Sequence, residues 1–438
     1  MIFFFRYTTD SRSFVFIKGK NMFQRVKGTT DNFFEITYWN GVIKKIMSHL
    51  KRYNFQEIDI PLIEHTALFE RGLGVETDVI SKQMFLIANK AGDDQICLRP
   101  EATAGTMRAF LEYQNEIKLP YRVFTYGSMF RYERPQKGRL REFHQMNLEV
   151  IGASSVLHDA HLIKMLQVLF MEVLDIQDFV LKINFLGQPE ERKKYSENLI
   201  ATLTPLKDKL CEVCAVRLEK NPLRILDCKS QICQDLAKQA PKLHAFFSSE
   251  TKQEFQLLLD TLQELAVTFI IDDQLVRGLD YYNKTVFEFV SVNLGAQNTF
   301  CGGGRYDGLA EQLGSKTEIP ALGCAIGMER LLMILEDKKD KLSEVPAALT
   351  CIIPMDQTQN KLALHLADHL ASQGLTVEIL IDDQKIKNKM KKASDLKATY
   401  ALIIGEEEQK NNSVMIKNMI TGLQEMILQN QVANYLKK

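Results

Sequence analysis

The segment 130–145, FRYERPQKGRLREFHQ, limits the possible folds more than any other stretch of the chain. It lies between two runs with strand character. Residues 121–130 are rich in β-branched and aromatic side chains, and 143–151 resumes an apolar run. Pro135 and Gly138 stand between them as turn formers. The pattern predicts two antiparallel strands joined by an arginine-rich loop. Arg131, Arg134, Lys137, Arg139 and Arg141 face only Glu133 and Glu142, in a chain whose Lys+Arg and Asp+Glu balance at 55 each. That balance argues against a general polyanion binder and leaves room for a local basic patch. Guanidinium groups are planar, permanently charged and bidentate, which suits phosphates. Phe143 offers a flat face to a base. A merely solvated hairpin would not need arginine in place of lysine, nor an aromatic beside it.

A chain of 438 residues has room for two or three domains. No apolar run approaches the roughly 18 residues that span a bilayer. Eight cysteines in a chain of this size suit a reducing, cytoplasmic setting better than a disulfide framework. Residues 1–21 are basic and aromatic with one acid, Asp10. They read as an extension, either a targeting-like or interfacial segment or, preferably, the product of an upstream start codon with translation from Met22.

Apolar spacing predicts helices over 32–53, 102–113 and 158–174 and a strand over 55–63 ending near Pro61. Between Gly187 and Gly278 there is no glycine, and 188–265 reads as a helical insertion. Strands return at 267–271 and 286–292, and 319–337 reads as a glycine-rich strand running into a helix. Residues 337–346 read as a linker, and 347–438 alternate short strands with helices as a small α/β domain. The remaining core divides into 22–187 and 266–336.

Four scattered segments carry chemistry. LRPEATA places Glu101 and Thr103 at the mouth of a helix, where a carboxylate and a hydroxyl can receive an ammonium. Taken alone, the segment is equally an ordinary first helical turn. In the hairpin, a spacing of four puts Gln145 and Glu149 on one strand face. VRGLDYYNKTVFE crowds Arg277, Asp280, Tyr281 and Tyr282 together, and GCAIGMER sets small residues on a strand before Glu329 and Arg330. Neither a GK[ST] phosphate loop nor a GxGxxG fingerprint is present.

FRYERPQKGRLREFHQ resembles motif 2 of the class II aminoacyl-tRNA synthetases, GCAIGMER their motif 3 and FQEIDIPLIE their motif 1. RGLDYY and GGGRYDGL are similar to the two segments that set the histidyl-tRNA synthetases apart, and the bacterial type is indicated. The resemblance runs from about Phe23 to the C-terminus. It implies an α+β fold: an antiparallel-sheet catalytic core with a helical insertion, plus a C-terminal α/β anticodon-binding domain. It implies ligation of histidine to its tRNA through a histidyl-adenylate, with ATP and Mg²⁺, in a homodimer without membrane attachment.

Position by position, it implies that Arg131 and Arg330 hold ATP phosphates, Glu133 meets the adenine amino group and Phe143 stacks on the base. It implies that Glu101 and Thr103 bind the histidine ammonium, that Gln145 lies near the amino-acid backbone and that Glu149 and Tyr282, with Tyr281 beside them, line the imidazole site. Arg277 is expected at the α-phosphate. Arg141 is expected near ATP, and Arg134 and Gln136 at the tRNA acceptor end. Ala102 departs from the glycine of many relatives and is expected to crowd the pocket slightly.

Cys211 and Cys214, with Cys228 and Cys233 further on, have spacings compatible with zinc, but equally with small thiols packed between helices, and no metal is assigned from sequence. Lys385, Lys387, Lys389, Lys391, Lys392 and Lys397 against Asp395 read either as a solvated face or as anticodon contacts. Two other functions stand against the main one. One is the non-catalytic regulatory subunit of ATP phosphoribosyltransferase, disfavoured by the intact basic hairpin and the C-terminal domain. The other is a synthetase for proline or threonine, disfavoured by RGLDYY.

Overall fold

The computed structural model describes residues 23–74, 77–88, 94–295, 298–382 and 385–437. The expectation for 1–21 lies outside them. The chain divides into two units, Met1–Leu342 and Ser343–Lys438. Among the described residues no helix is long and apolar enough to cross a membrane.

The first unit opens with α1 (Ile36–Arg52), which buries Tyr38, Val42, Ile46, His49 and Leu50 along one stripe. Each such aliphatic side chain contributes about 2 kcal/mol by leaving water. The strand expected over 55–63 is only β1 (Gln56–Glu57). Pro61 follows Ile60 and removes a ladder donor, so pairing resumes separately at β2 (Ile63–His65). Then come α2 (Thr66–Leu73), α3 (Asp78–Lys82), β3 (Phe85–Ile87), β4 (Ile96–Leu98) and α4 (Thr103–Tyr113). The basic hairpin is β5 (Tyr121–Phe130) and β6 (Glu142–Ile151), paired antiparallel along their whole length. α5 (Val156–Val168), capped by the Ser155 hydroxyl, ends in a π turn at Leu169–Val173. β7 (Val180–Phe185) follows.

The glycine-free stretch is helical: α6 (Pro189–Leu203), α7 (Glu212–Lys220), α8 (Gln231–Ala237) and α9 (Ser249–Glu264), with 3-10 turns between them. β8 (Ile270–Ile271), β9 (Thr285–Val290), β10 (Thr299–Arg305), α10 (Leu309–Gln312), β11 (Ala321–Gly327) and α11 (Met328–Ile334) complete the core. The expected linker begins as helix: α12 (Lys339–Leu342) buries Leu342 against the first core.

Eight strands form one sheet in the order β1-β5-β6-β11-β10-β9-β7-β8. Its six central strands are antiparallel throughout, and only the two-residue edges pair in parallel. A three-stranded sheet, β2-β4-β3, lies apart from it in pairing.

The second unit is β12 (Leu349–Pro354), α13 (Asn360–Ser372), β13 (Thr376–Ile379), α14 (Ile386–Asp395), β14 (Tyr400–Ile404), α15 (Glu406–Lys410), β15 (Ser413–Asn418), β16 (Gln424–Leu428) and α16 (Val432–Leu436). β12 pairs in parallel with β13 and β14, as strands joined by helices do, while β15 and β16 add an antiparallel hairpin. Ile352, Leu366, Leu402 and Val414 sit in a core of their own.

Candidate active site

The antiparallel register builds the site. Glu149 faces Gly323, which faces Gly304, and one pair further along Asn147 faces Ala325, Gly302 and Glu288 in turn. Side chains of each row share one face of the sheet. The glycines keep that face low. A methyl group at Gly323 would run into the Glu149 carboxylate, and one at Gly302 into the Arg277 guanidinium. One at Gly304 would lie 2.8 Å from the Tyr282 ring. Glycine here provides a close approach, not a backbone conformation.

Glu149 is fully buried. The Thr103 hydroxyl donates to its Oε1 at 2.7 Å and the Tyr306 hydroxyl donates to Oε2. Burial nevertheless dominates and pushes its pKa up to about 8. Tyr281, Tyr282 and Tyr306 stand around it, with ring centroids 4.5, 5.4 and 6.4 Å apart. Glu101 accepts from the Thr103 and Ala104 amides at 2.7 and 2.8 Å and so closes the first turn of α4. Burial raises its pKa too, against those two bonds. Gln145 Oε1 is buried with no hydrogen-bond partner, an acceptor left open on the same strand face.

The arginines converge from three directions. Burial opposes the charge of Arg277, but the ion pair with Glu288 raises its pKa overall. Its guanidinium lies 5.7 Å from the Tyr282 ring centre. Arg131 donates to the Pro100 carbonyl at 2.9 Å and lies 5.3 Å from the centre of the Phe143 ring. Arg330 donates to the Gly138 carbonyl at 2.9 Å and to Thr299 at 2.6 Å, tying α11 to the hairpin turn. Burial lowers the pKa of both Arg131 and Arg330, and neighbouring Arg139 lowers each further. Arg131, Arg139 and Arg330 thus concentrate positive charge around Glu133, while Arg277 is paired with Glu288.

The structure brings Glu101, Thr103, Glu149, Tyr281, Tyr282 and Arg277 together, with Arg131 and Phe143 beside them. Glu133 is buried and paired with Arg139 in this state. Arg134 and Gln136 stand exposed at the loop tip, where Gln136 and Arg139 exchange backbone bonds of 3.0 and 2.9 Å. Arg141 lies deeper than the loop tip, 3.9 Å from the centre of the Tyr132 ring, with its stem packed against Gly28. Two expectations are corrected. Ala102 does not crowd the pocket. Its backbone is ordinary (φ −105°) and its methyl joins an apolar cluster with Ile60 and Met129. Lys389 is buried and donates to the Pro354 carbonyl at 2.9 Å, so it is no exposed contact, unlike Lys385, Lys387, Lys391, Lys392 and Lys397.

Tyr306 and Glu288 went unassigned from sequence. Alternation along β10 was the available signal: Gly302 and Gly304 share a face, and continuing the alternation reaches Tyr306. Arg305, pointing the other way, is wholly buried with Asp159 at 3.0 Å and Asp307 at 3.1 Å, and fixes the backbone that carries Tyr306.

An antiparallel sheet carrying an arginine-rich hairpin, beside a glycine-rich strand that feeds a helix bearing an arginine, is the catalytic architecture of a class II aminoacyl-tRNA synthetase. The histidyl-tRNA synthetase family matches residues 35–331, and an anticodon binding domain matches 350–438. A histidine–tRNA ligase of Acetivibrio thermocellus is 40% identical over 94% of this chain and 99% of its own length. That of Aquifex aeolicus is 42% identical over 86% and 91%. The crystal structure of apo histidyl-tRNA synthetase from S. aureus superposes with a TM-score of 0.78 at 31% identity, over 95% of this chain and all of the other. The chain belongs to the histidyl-tRNA synthetase family, and it is an enzyme that joins histidine to tRNA. The regulatory alternative is not favoured.

Proposed function

We propose that the chain activates histidine with ATP and then transfers it to tRNA, using the residues gathered on the glycine-floored sheet face. The observation that carries this reading is Glu149, a buried carboxyl with two hydroxyl donors, among three tyrosines of which Tyr282 also neighbours Arg277. Glu149 and Tyr282 meet the two ring nitrogens of the substrate, and Tyr306 orients Glu149. A ligand lacking those nitrogens leaves buried polar groups unpaired, which is a strong basis for rejection. Glu101 and Thr103 receive the ammonium, since each Glu101 oxygen retains a lone pair. The open acceptor of Gln145 suits the amino-acid backbone.

No side-chain nucleophile is required. The histidine carboxylate attacks the α-phosphate, the bond to the bridging oxygen breaks, and pyrophosphate leaves. Arg277 and Arg131 stabilise the charge that develops between the two anions. Phe143 and Glu133 hold the adenine, the latter once it turns from Arg139, and Arg330 holds the terminal phosphate. The carboxylate of Glu288, between Arg277 and Thr299, is a hard oxygen donor suited to Mg²⁺. The ion supplies charge neutralisation at the phosphates when bound. In the second step the terminal ribose hydroxyl of the tRNA attacks the adenylate carbonyl and AMP leaves.

Arg134 and Gln136 face the acceptor end. Residues 347–438 form the anticodon-binding domain, 188–265 an insertion into the catalytic core of 22–187 and 266–336, and 337–346 the connection. Two copies pair through the 55–64 segment, whose Leu62 and Ile63 are about half exposed. The free cysteines fit a cytoplasmic setting. ATP–pyrophosphate exchange with each of the twenty amino acids tests the reading. Histidine alone is expected to drive exchange, and equal exchange with proline or threonine would overturn it.

A further inference from the structure

We propose that Cys211, Cys214, Cys228 and Cys233 bind one zinc ion as a four-thiolate site, and that this ion fastens the helical insertion to the segment 276–282. The four sulfurs come from separate places. Cys211 precedes α7 and Cys214 lies in its first turn. Cys228 follows the 3-10 turn Pro222–Ile225, and Cys233 lies in α8. All four nevertheless converge within 4.8 Å of one another.

The Cys211 and Cys228 sulfurs are 3.8 Å apart. Zinc–sulfur bonds of about 2.3 Å in a tetrahedron place sulfurs at about that separation. A disulfide would need about 2.05 Å, and all four cysteines are free. Cys214, Cys228 and Cys233 are buried, Cys211 partly. Thiols that merely fill space between helices have no reason to meet at one point. Backbone amides also aim at the sulfurs: Cys211 N–H donates to Cys233 at 3.3 Å and Ser230 N–H to Cys228 at 3.4 Å. Such donors support coordinating thiolates. Binding exchanges four S–H bonds for four S–Zn bonds and sends the protons to solvent. Zinc fits because a closed tetrahedral set of four thiolates is a structural zinc arrangement, with no open position for chemistry.

The chain between the two cysteine pairs reaches the segment 276–282. Arg224 donates to the Gly278 carbonyl at 2.8 Å, and Asn221 donates to Asp280 at 3.2 Å. Arg217 holds Arg224 by its carbonyl at 2.9 Å. An ion that locks both ends of this stretch therefore locks its grip on 276–282. That segment's role at the histidine rests on the function proposed above, but the test reads metal and backbone exchange, not charging, so the two can fail separately.

The full chain, purified without chelator, is expected to carry about one zinc per chain by elemental analysis. Cobalt in its place should show thiolate charge-transfer bands and the ligand-field bands of a tetrahedral ion. The Cys214→Ser/Cys233→Ser double variant should lose the metal. Stripping zinc from the wild-type protein should raise amide hydrogen exchange in 211–236 and in 276–282. Four titratable thiols with background metal, iron in place of zinc, or zinc retained by the double variant would each overturn the site. Unchanged exchange at 276–282 after stripping would overturn the fastening. If the double variant fails to fold, the wild-type metal content and the cobalt spectrum decide.

Discussion

At the scale of single residues the sheet face separates what spacing can reveal from what it cannot. Gln145 and Glu149 were legible because a strand alternates with a period of two, so an interval of four returns to the same face. The partners that give Glu149 its properties were not legible. Tyr306 is 157 residues away and Thr103 is 46. Asp159 and Arg305, a buried pair 146 residues apart, were equally invisible. Burial sets the behaviour of Glu149 and makes it a titratable liability. Its pKa is about 8 in the folded protein against an ordinary 4.5, so the folded state binds the proton more tightly. That stabilisation is full below about 4.5 and is lost as pH rises toward about 8. Glu149→Gln removes the titration. In urea unfolding the variant should gain on the wild type as pH rises between those limits, with a slope of at most about 1.4 kcal/mol per pH unit. A constant difference across that range would show that Glu149 titrates normally.

At the scale of elements, the hairpin was the most readable part of the chain, because strand propensity, turn residues and charge pattern agree there. β5 falls on the run 121–130 that its β-branched and aromatic content marks as a strand. The 55–63 strand failed because Pro61 interrupts the ladder, a rule visible in the sequence but outweighed by its apolar run. β15 and β16 were missed because their residues mix polar and apolar types without a strong period. The proposed roles divide the hairpin loop by depth. Arg131 is half-buried near Phe143, whereas Gln136 is exposed at the tip. Arg131→Ala should abolish ATP–pyrophosphate exchange, since a partner of the transition-state charge is lost. Gln136→Ala should leave exchange nearly intact and weaken transfer by about 1–3 kcal/mol where a base contact is lost. Bacterial histidine tRNAs resemble one another in carrying an extra guanosine before position one. Charging tRNA with and without it tests the assignment, and an equal loss on both, or an equal loss in exchange, would contradict it.

At the scale of the whole molecule, the two units have separate cores, and the side chains proposed for activation all belong to one of them. Sedimentation should give a dimer, since Leu62 and Ile63 remain exposed on the 55–64 segment. A fully active monomer at assay concentration would reject that pairing. The division of the chain carries a sharper consequence. Every side chain assigned to activation, from Glu101 to Arg330, precedes Leu342, and the helix ending there is packed into the first core. The exposed lysines around α14 belong to the second unit, and phosphate contacts of that kind contribute to affinity without touching the reaction. Truncation after about Glu344 should therefore leave a folded core that exchanges pyrophosphate with histidine at close to the full rate. Its kcat/KM for tRNA should fall by about a hundredfold or more, and the loss should shrink at low salt, where the remaining acceptor contacts strengthen. Measuring exchange and charging on the same preparation separates the two outcomes. Undiminished charging would remove the C-terminal unit from tRNA recognition, and lost exchange would show that activation depends on it.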